Sequence, residues 1–152
     1  MPKSLTITGS RSTQHRELSE YRDLFAAYIG PFAVPDSHFY LGGASGIDSL
    51  ALLWLSDNTS ARLTVVVPAT LADQPADARH AVATVRDSGR LDDLVELKGE
   101  ARTTGYHARN RWMVDRSEFI IGFPLATDLS SGTAYTLDYA ATHGKPRLIV
   151  PI

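Results

Sequence analysis

The sequence predicts an α/β domain of Rossmann-like type, a three-layer fold with a mainly parallel twisted sheet and helices on both faces. Three observations predict it. Short apolar or β-branched runs alternate with helix-length amphipathic segments along the chain. Three of the strand-like runs end in loops rich in Gly, Ser and Thr, the transition expected where a buried strand leaves the sheet. No repeat, low-complexity tract or linker interrupts the 152 residues, a length suited to a single domain over 1–152.

Leu5-Thr6-Ile7-Thr8 reads as the first strand, stopping at Gly9-Ser10-Arg11-Ser12. Leu18, Tyr21, Leu24, Phe25 and Tyr28 recur at three- and four-residue spacing, so 17–29 is expected as an amphipathic helix with Tyr21, Phe25 and Tyr28 facing the core, closed by Gly30-Pro31. A strand at 38–41 leads into Gly42-Gly43-Ala44-Ser45-Gly46-Ile47-Asp48 and a helix over 49–56. The Val-rich run 62–67 is a third strand ended by Pro68, followed by a helix at 76–87 and a short strand at 94–97. A helix over 104–116 precedes the nearly continuous apolar run 118–123, expected as a central strand. Loop 124–130 then leads to Ser131-Gly132-Thr133 and a helix at 134–142. Gly144, the last-turn cation Lys145 and Pro146 stop that helix before a final strand at 147–150.

Composition removes several classes of chemistry. With no cysteine there is no disulfide, thiolate nucleophile or Cys-ligated metal, and the five histidines show no paired metal-binding spacing, so neither a metal nor a cofactor is expected. A net charge of −2 argues against a surface wholly devoted to nucleic acid, although a local basic patch is compatible with it. There is no apolar leader or membrane-length segment, so a cytoplasmic chain without a membrane partner is expected.

In a parallel sheet the loops after Thr8, Leu41 and Phe123 all leave from the strands' carboxyl edge, where such folds bind ligands. Their N–H groups and hydroxyls, with the positive ends of the following helices, suit an anion such as phosphate. One such loop is as well explained by a tight turn permitted by Gly43 and Gly46. Three on one edge point to binding of a nucleotide-like ligand. Arg11 offers a fork of donors to a phosphate. Asp48 suits either a ribose hydroxyl or a helix cap, and Asn110 and Arg111 face either the cleft or solvent. Ser131 and Thr133, flanking Gly132, suit both capping and phosphate binding.

Taken in order, Thr8-Gly9-Ser10-Arg11, Gly43-Ala44-Ser45-Gly46-Ile47-Asp48, Asn110-Arg111, and Ser131-Gly132-Thr133 with Thr136 and Gly144-Lys145-Pro146 resemble the SLOG superfamily. Its Rossmann-like members include DNA processing protein A, the Lonely Guy phosphoribohydrolases and nucleotide sensors of bacterial immune systems. The pattern is most similar to the DNA processing protein A branch. That similarity implies that Gly9, Ser10, Arg11, Gly43, Gly46, Asp48, Arg111, Gly132 and Thr133 line a ligand pocket, and Ala44 and Ser131 of the same loops are counted with them as ligand-binding residues. It also implies a homodimer and, as an alternative partner, single-stranded DNA. The phosphoribohydrolase branch carries a PGGxGTxxE motif, and Thr136 stands here at its glutamate position. N-glycosidic hydrolysis, the alternative activity, would therefore need another carboxylate, with Asp48 and Asp138 the weak catalytic candidates.

Overall fold

The structure is a computed structural model and describes residues 1–126, 128 and 131–152. Thr127, Leu129 and Ser130, part of the loop expected at 124–130, lie outside the described residues. Six parallel strands form one sheet: β1 (Ser4–Gly9), β2 (His38–Leu41), β3 (Arg62–Val67), β4 (Asp93–Glu96), β5 (Phe119–Phe123) and β6 (Arg147–Ile149), in the order β4-β3-β2-β1-β5-β6. Helices α1 (Leu18–Tyr28), α2 (Ile47–Asn58), α3 (Ala76–Asp87), α4 (Thr103–Asp115) and α5 (Gly132–Thr142) connect them. The result is the predicted three-layer Rossmann-like architecture.

Strand alternation sorts the two faces of the sheet. Leu5 and Ile7 of β1, Phe39 and Leu41 of β2, and Leu63, Val65 and Val67 of β3 are fully buried in one large apolar cluster. Tyr21 and Phe25 of α1, Ala51, Leu52 and Leu55 of α2, and Ala81, Val82 and Val85 of α3 complete it. The opposite face presents Thr6 and Thr8 and is covered by α4 and α5. Its apolar cluster among the described residues consists of Val114, Ile120, Leu137 and Ala140, with Tyr139 packed against them. Polar pairs supplement it: Thr6 Oγ1 meets Ser117 Oγ at 2.7 Å, and His38 Nε2 meets Thr64 Oγ1 at 2.6 Å.

From β1 the chain runs outward through β2, β3 and β4, then returns to the other flank of β1 as β5 and continues to β6. Strand order therefore reverses between β1 and β5, whose register pairs Thr8 with Gly122 and Gly9 with Phe123 at the carboxyl ends. Loops diverging at such a reversal open a crevice between them.

Several boundaries differ from the expectation for identifiable reasons. Helix α2 starts at Ile47 rather than 49, because the Ile47 N–H donates to the Ser10 carbonyl at 3.0 Å and Gly46 makes the sharp entry at φ +79°. Helix α5 likewise starts at Gly132, two residues before the expected 134. Two short 3-10 turns, Gly30–Phe32 and Leu71–Asp73, interrupt segments expected to be irregular. Tyr28 is 40 % exposed, because the α1 stripe in contact with the core narrows to Tyr21 and Phe25. Lys145 is not a last-turn cation of α5, which ends at Thr142; its Nζ donates to the Ser117 carbonyl at 2.8 Å.

Candidate functional site: a cleft at the strand reversal

A cleft of about 420 Å³ opens where β1 and β5 diverge. The β1 loop supplies Thr8, Gly9, Ser10, Arg11 and Ser12. Ala44 and Asp48 come from the loop and helix after β2, while Thr103, Tyr106, His107, Arg109 and Asn110 of α4 form a wall. Leu125 and Asp128 follow β5, and Ser131, Gly132 and Thr133 form the start of α5. This volume is within the roughly 300–1,000 Å³ usual for small-molecule sites.

The three loops anticipated as anion binders turn out to be unlike one another. In the loop after β2, the carbonyls of Gly43 and Ala44 and the N–H of Ala44 are already engaged. Gln74 Nε2 donates to the Gly43 carbonyl at 2.6 Å, Ser49 Oγ to the Ala44 carbonyl at 2.7 Å, and the Ala44 N–H to Asp48 Oδ2 at 3.3 Å. Gly43 and Gly46 shape this loop without lining the cleft. A Cβ at Gly46 would lie 2.5 Å from the Ser10 carbonyl oxygen, so the first two loops are in backbone contact there.

The start of α5 is different. Ser131 is the N-cap, its Oγ accepting from the Ala134 N–H at 3.1 Å. The N–H groups of Gly132 and Thr133 have no partner among the described residues, as expected of the first turn of an α-helix. In the first loop, Ser10 Oγ accepts from the Ser12 N–H at 3.0 Å, and the Ser10 N–H donates to the Phe123 carbonyl at 3.0 Å, tying the loop to β5. The Arg11 side chain is exposed, with its guanidinium 4.6 Å from the centre of the Tyr106 ring across the cleft.

Asp48 and Arg109 form the charged floor. Asp48 sits in the first turn of α2 and does not cap it, since its Oδ2 bonds Ala44, which precedes the helix. Burial pushes its carboxyl up from 3.8 to about 6, against the opposing pull of the Arg109 charge. Arg109 is buried, and its Nη1 donates to the Gly42 carbonyl and, at 3.5 Å, to that of Val66. Its Nε donates to Asn110 Oδ1 at 2.7 Å. Burial lowers the Arg109 pKa, while Asp48 raises it. Gly42 lies between the two charges: a Cβ there would be 2.8 Å from both the guanidinium and Asp48 Oδ2.

Arg109 and Asn110 thus line the cleft, whereas Arg111 does not. Its Nη1 donates to the Tyr135 hydroxyl at 2.8 Å on the α4–α5 surface. The signal available in the sequence is the period of α4: Gly105, Arg109 and Met113 share the buried stripe, and Arg111, two residues on from Arg109, falls outside it. His107, Arg111 and Asp115 form a separate row facing Tyr135 and Tyr139. The His107 and Tyr135 rings stack at 3.7 Å, and the Tyr139 hydroxyl donates to Asp115 at 2.7 Å. Asp138 is exposed on α5, outside the cleft lining. Thr136, at the position where a phosphoribohydrolase has glutamate, is buried and spends its hydroxyl on the Gly132 carbonyl at 2.8 Å. Among the described residues no helix is long and apolar enough to cross a membrane.

No model of a known protein family and no curated protein matches the sequence. Solved structures do match the fold. DNA processing protein A from Helicobacter pylori, described as having a unique single-stranded DNA binding mode, aligns with a TM-score of 0.70 at 19% identity, covering 99% of this chain and 66% of that one. DNA processing protein A from Streptococcus pneumoniae aligns with a TM-score of 0.70 at 17% identity, covering 98% and 50%. A protein named TM1055 aligns with a TM-score of 0.62 at 16% identity, covering 95% and 72%. The chain therefore spans about two thirds and one half of the two DNA processing proteins, and it shares their Rossmann-like fold.

Proposed function

We propose that the cleft binds a nucleotide or nucleotide-derived phosphate ligand, with the phosphate at the start of α5 and beside Arg11. The observation that carries this reading is the pair of N–H groups of Gly132 and Thr133, without a partner among the described residues, on a cleft that Arg11 also lines. A helix N-terminus favours an anion through its free donors and dipole, and an arginine fork adds charge-assisted hydrogen bonds. The Tyr106 and His107 rings on the α4 wall supply a flat surface for the rest of the ligand.

The test is calorimetric titration with inorganic phosphate, nucleoside mono- and diphosphates, cyclic nucleotides and ADP-ribose. Saturable heat that is reduced about tenfold in affinity or more by Arg11→Ala is the expected result. Absence of heat for all of them would sink the reading.

A second reading, a single-stranded nucleic-acid module, is favoured by the stacked His107–Tyr135 pair beside the cleft and by the Helicobacter protein's DNA binding. It predicts retention on single-stranded DNA that falls steeply with salt.

A further inference from the structure

Helix α4 brings a side-chain amide onto the cleft, one residue along from Arg109. Asn110 is only 7 % exposed, yet it lines the cleft with Thr103, Tyr106 and His107 of the same helix. Their three- and four-residue spacing places them on one side of α4, and Asn110 is the most deeply buried of them. Its Oδ1 accepts from Arg109 Nε at 2.7 Å, while its Nδ2 has no partner among the described residues. Nδ2 is not enclosed in the way that Asp48 Oδ1 is, and it reaches the surface of the cleft.

The chemistry of the pair fixes which end of the amide faces which way. A guanidinium only donates, so it must face the amide oxygen, and the nitrogen with its hydrogens is left on the other side. Arg109 is itself held by the carbonyls of Gly42 and Val66, so turning the amide over would leave a buried Nε–H unpaired. Asn110 therefore offers the cleft a donor and never an acceptor. The Arg109 cation polarises the amide through their shared hydrogen bond, which strengthens the donor at its far end. Two hydroxyls stand in a similar position. Thr8 of β1 and Thr133 of α5 are buried and line the same cleft, and their Oγ1 atoms have no partner among the described residues.

Building on the phosphate-binding reading above, we propose that Asn110 is a specificity-determining residue of this cleft, whose Nδ2 donates to an oxygen of the bound phosphate. An oxyanion is the acceptor that fits a donor of fixed orientation, and it can accept from rotatable hydroxyls on neighbouring elements at the same time. A buried amide nitrogen left without an acceptor is costly, so the same group disfavours a ligand that presents only donors there. Asn110 lies on the α4 wall, away from the β1 loop that carries Arg11 and from the start of α5, and so adds a contact that neither of them supplies.

The experiment titrates the full chain with inorganic phosphate and reads the side-chain NH2 signals of Asn110 by ¹H–¹⁵N NMR beside the backbone signals of Gly132 and Thr133. All three are expected to move saturably, with the same half-saturation. Asn110→Asp keeps an oxygen for Arg109 and turns the donor into a second carboxylate oxygen, so calorimetry of this variant should show phosphate affinity weaker by about tenfold or more, the effect of losing a hydrogen bond to a charged group. The wild-type titration stands even if the variant does not fold. Shifts at Gly132 and Thr133 without movement of the Asn110 side-chain signals would overturn the Asn110 contact and leave the phosphate end intact. So would a folded Asn110→Asp that binds phosphate within about twofold of wild type. No saturable shift at any of the three groups overturns both.

Discussion

The two faces of the sheet are built from different chemistry. Under α1, α2 and α3 the strands present Leu, Ile, Phe and Val to a single apolar cluster in which Phe25 meets Tyr21, Trp54 and Phe123. Under α4 and α5 they present Thr6, Thr8, His38 and Thr64, and side-chain hydrogen bonds accompany a smaller apolar cluster. Apolar burial is non-directional, so the first face confers stability without fixing any single atom. Buried polar groups must find partners at defined angles, so the second face holds its groups in place. The cleft lies at the end of this polar face, and Asp48 is where the pairing stops short.

That division predicts where substitutions act. On the apolar face, Phe25→Ala should cost about 3–5 kcal/mol in urea unfolding, with little change in the affinity of whatever protein remains folded. On the polar face, Arg109→Met should cost about 3 kcal/mol, because the Gly42 carbonyl and Asp48 lose their buried partner, and should weaken ligand binding as well. If both variants lose stability and neither affects binding of the folded fraction, the two faces do not divide the work in this way.

A pH effect follows from Asp48, whose folded carboxyl is pushed up to about 6 from 3.8. Between those values the folded protein retains a proton that the unfolded chain has released. The stabilisation is complete below the unfolded value and is lost as pH rises through about 6, a change on the order of 2–3 kcal/mol. Urea unfolding of wild type minus Asp48→Asn across pH 4 to 7 should therefore slope downward with pH, and a flat difference would mean that Asp48 is solvated after all.

The smallest effects separate two arginines. Arg11→Ala should change stability by less than about 0.5 kcal/mol, since the side chain is exposed, yet lower phosphate affinity about tenfold or more. Arg111→Ala removes the bond to Tyr135 and should leave phosphate affinity within about twofold. Equal losses for the two would extend the site onto the α4–α5 surface.

The fold was legible in the sequence to the extent that periodicity carries it. β2 and β3 occupy the expected residues, and the other strands differ by a single residue at one or both ends, because β-branched runs bounded by Gly and Pro leave few alternatives. Helix starts at Ile47 and Gly132 were harder to read, since they depend on bonds to Ser10 and on the Ser131 cap rather than on the helices' own pattern. The loops at the sheet edge followed from topology, but their division into one internally bonded turn and two that open on the cleft depends on Gln74 and Ser49, whose long-range and local bonds have no spacing signature. Arg109 is overshadowed by the adjacent Asn110-Arg111 pair: its spacing from Gly105 and Met113 marks it as buried, but the carbonyls of Gly42 and Val66 that receive it have no spacing signature.

The measurement that bears most directly on the phosphate end is an amide ¹H–¹⁵N NMR titration of the wild-type protein with inorganic phosphate. A phosphate site at the start of α5 predicts saturable shifts centred on the N–H groups of Arg11, Gly132 and Thr133, with Gly43 and Gly46 moving little. Shifts centred on Gly43 to Gly46, or no saturable shift at all, would contradict it.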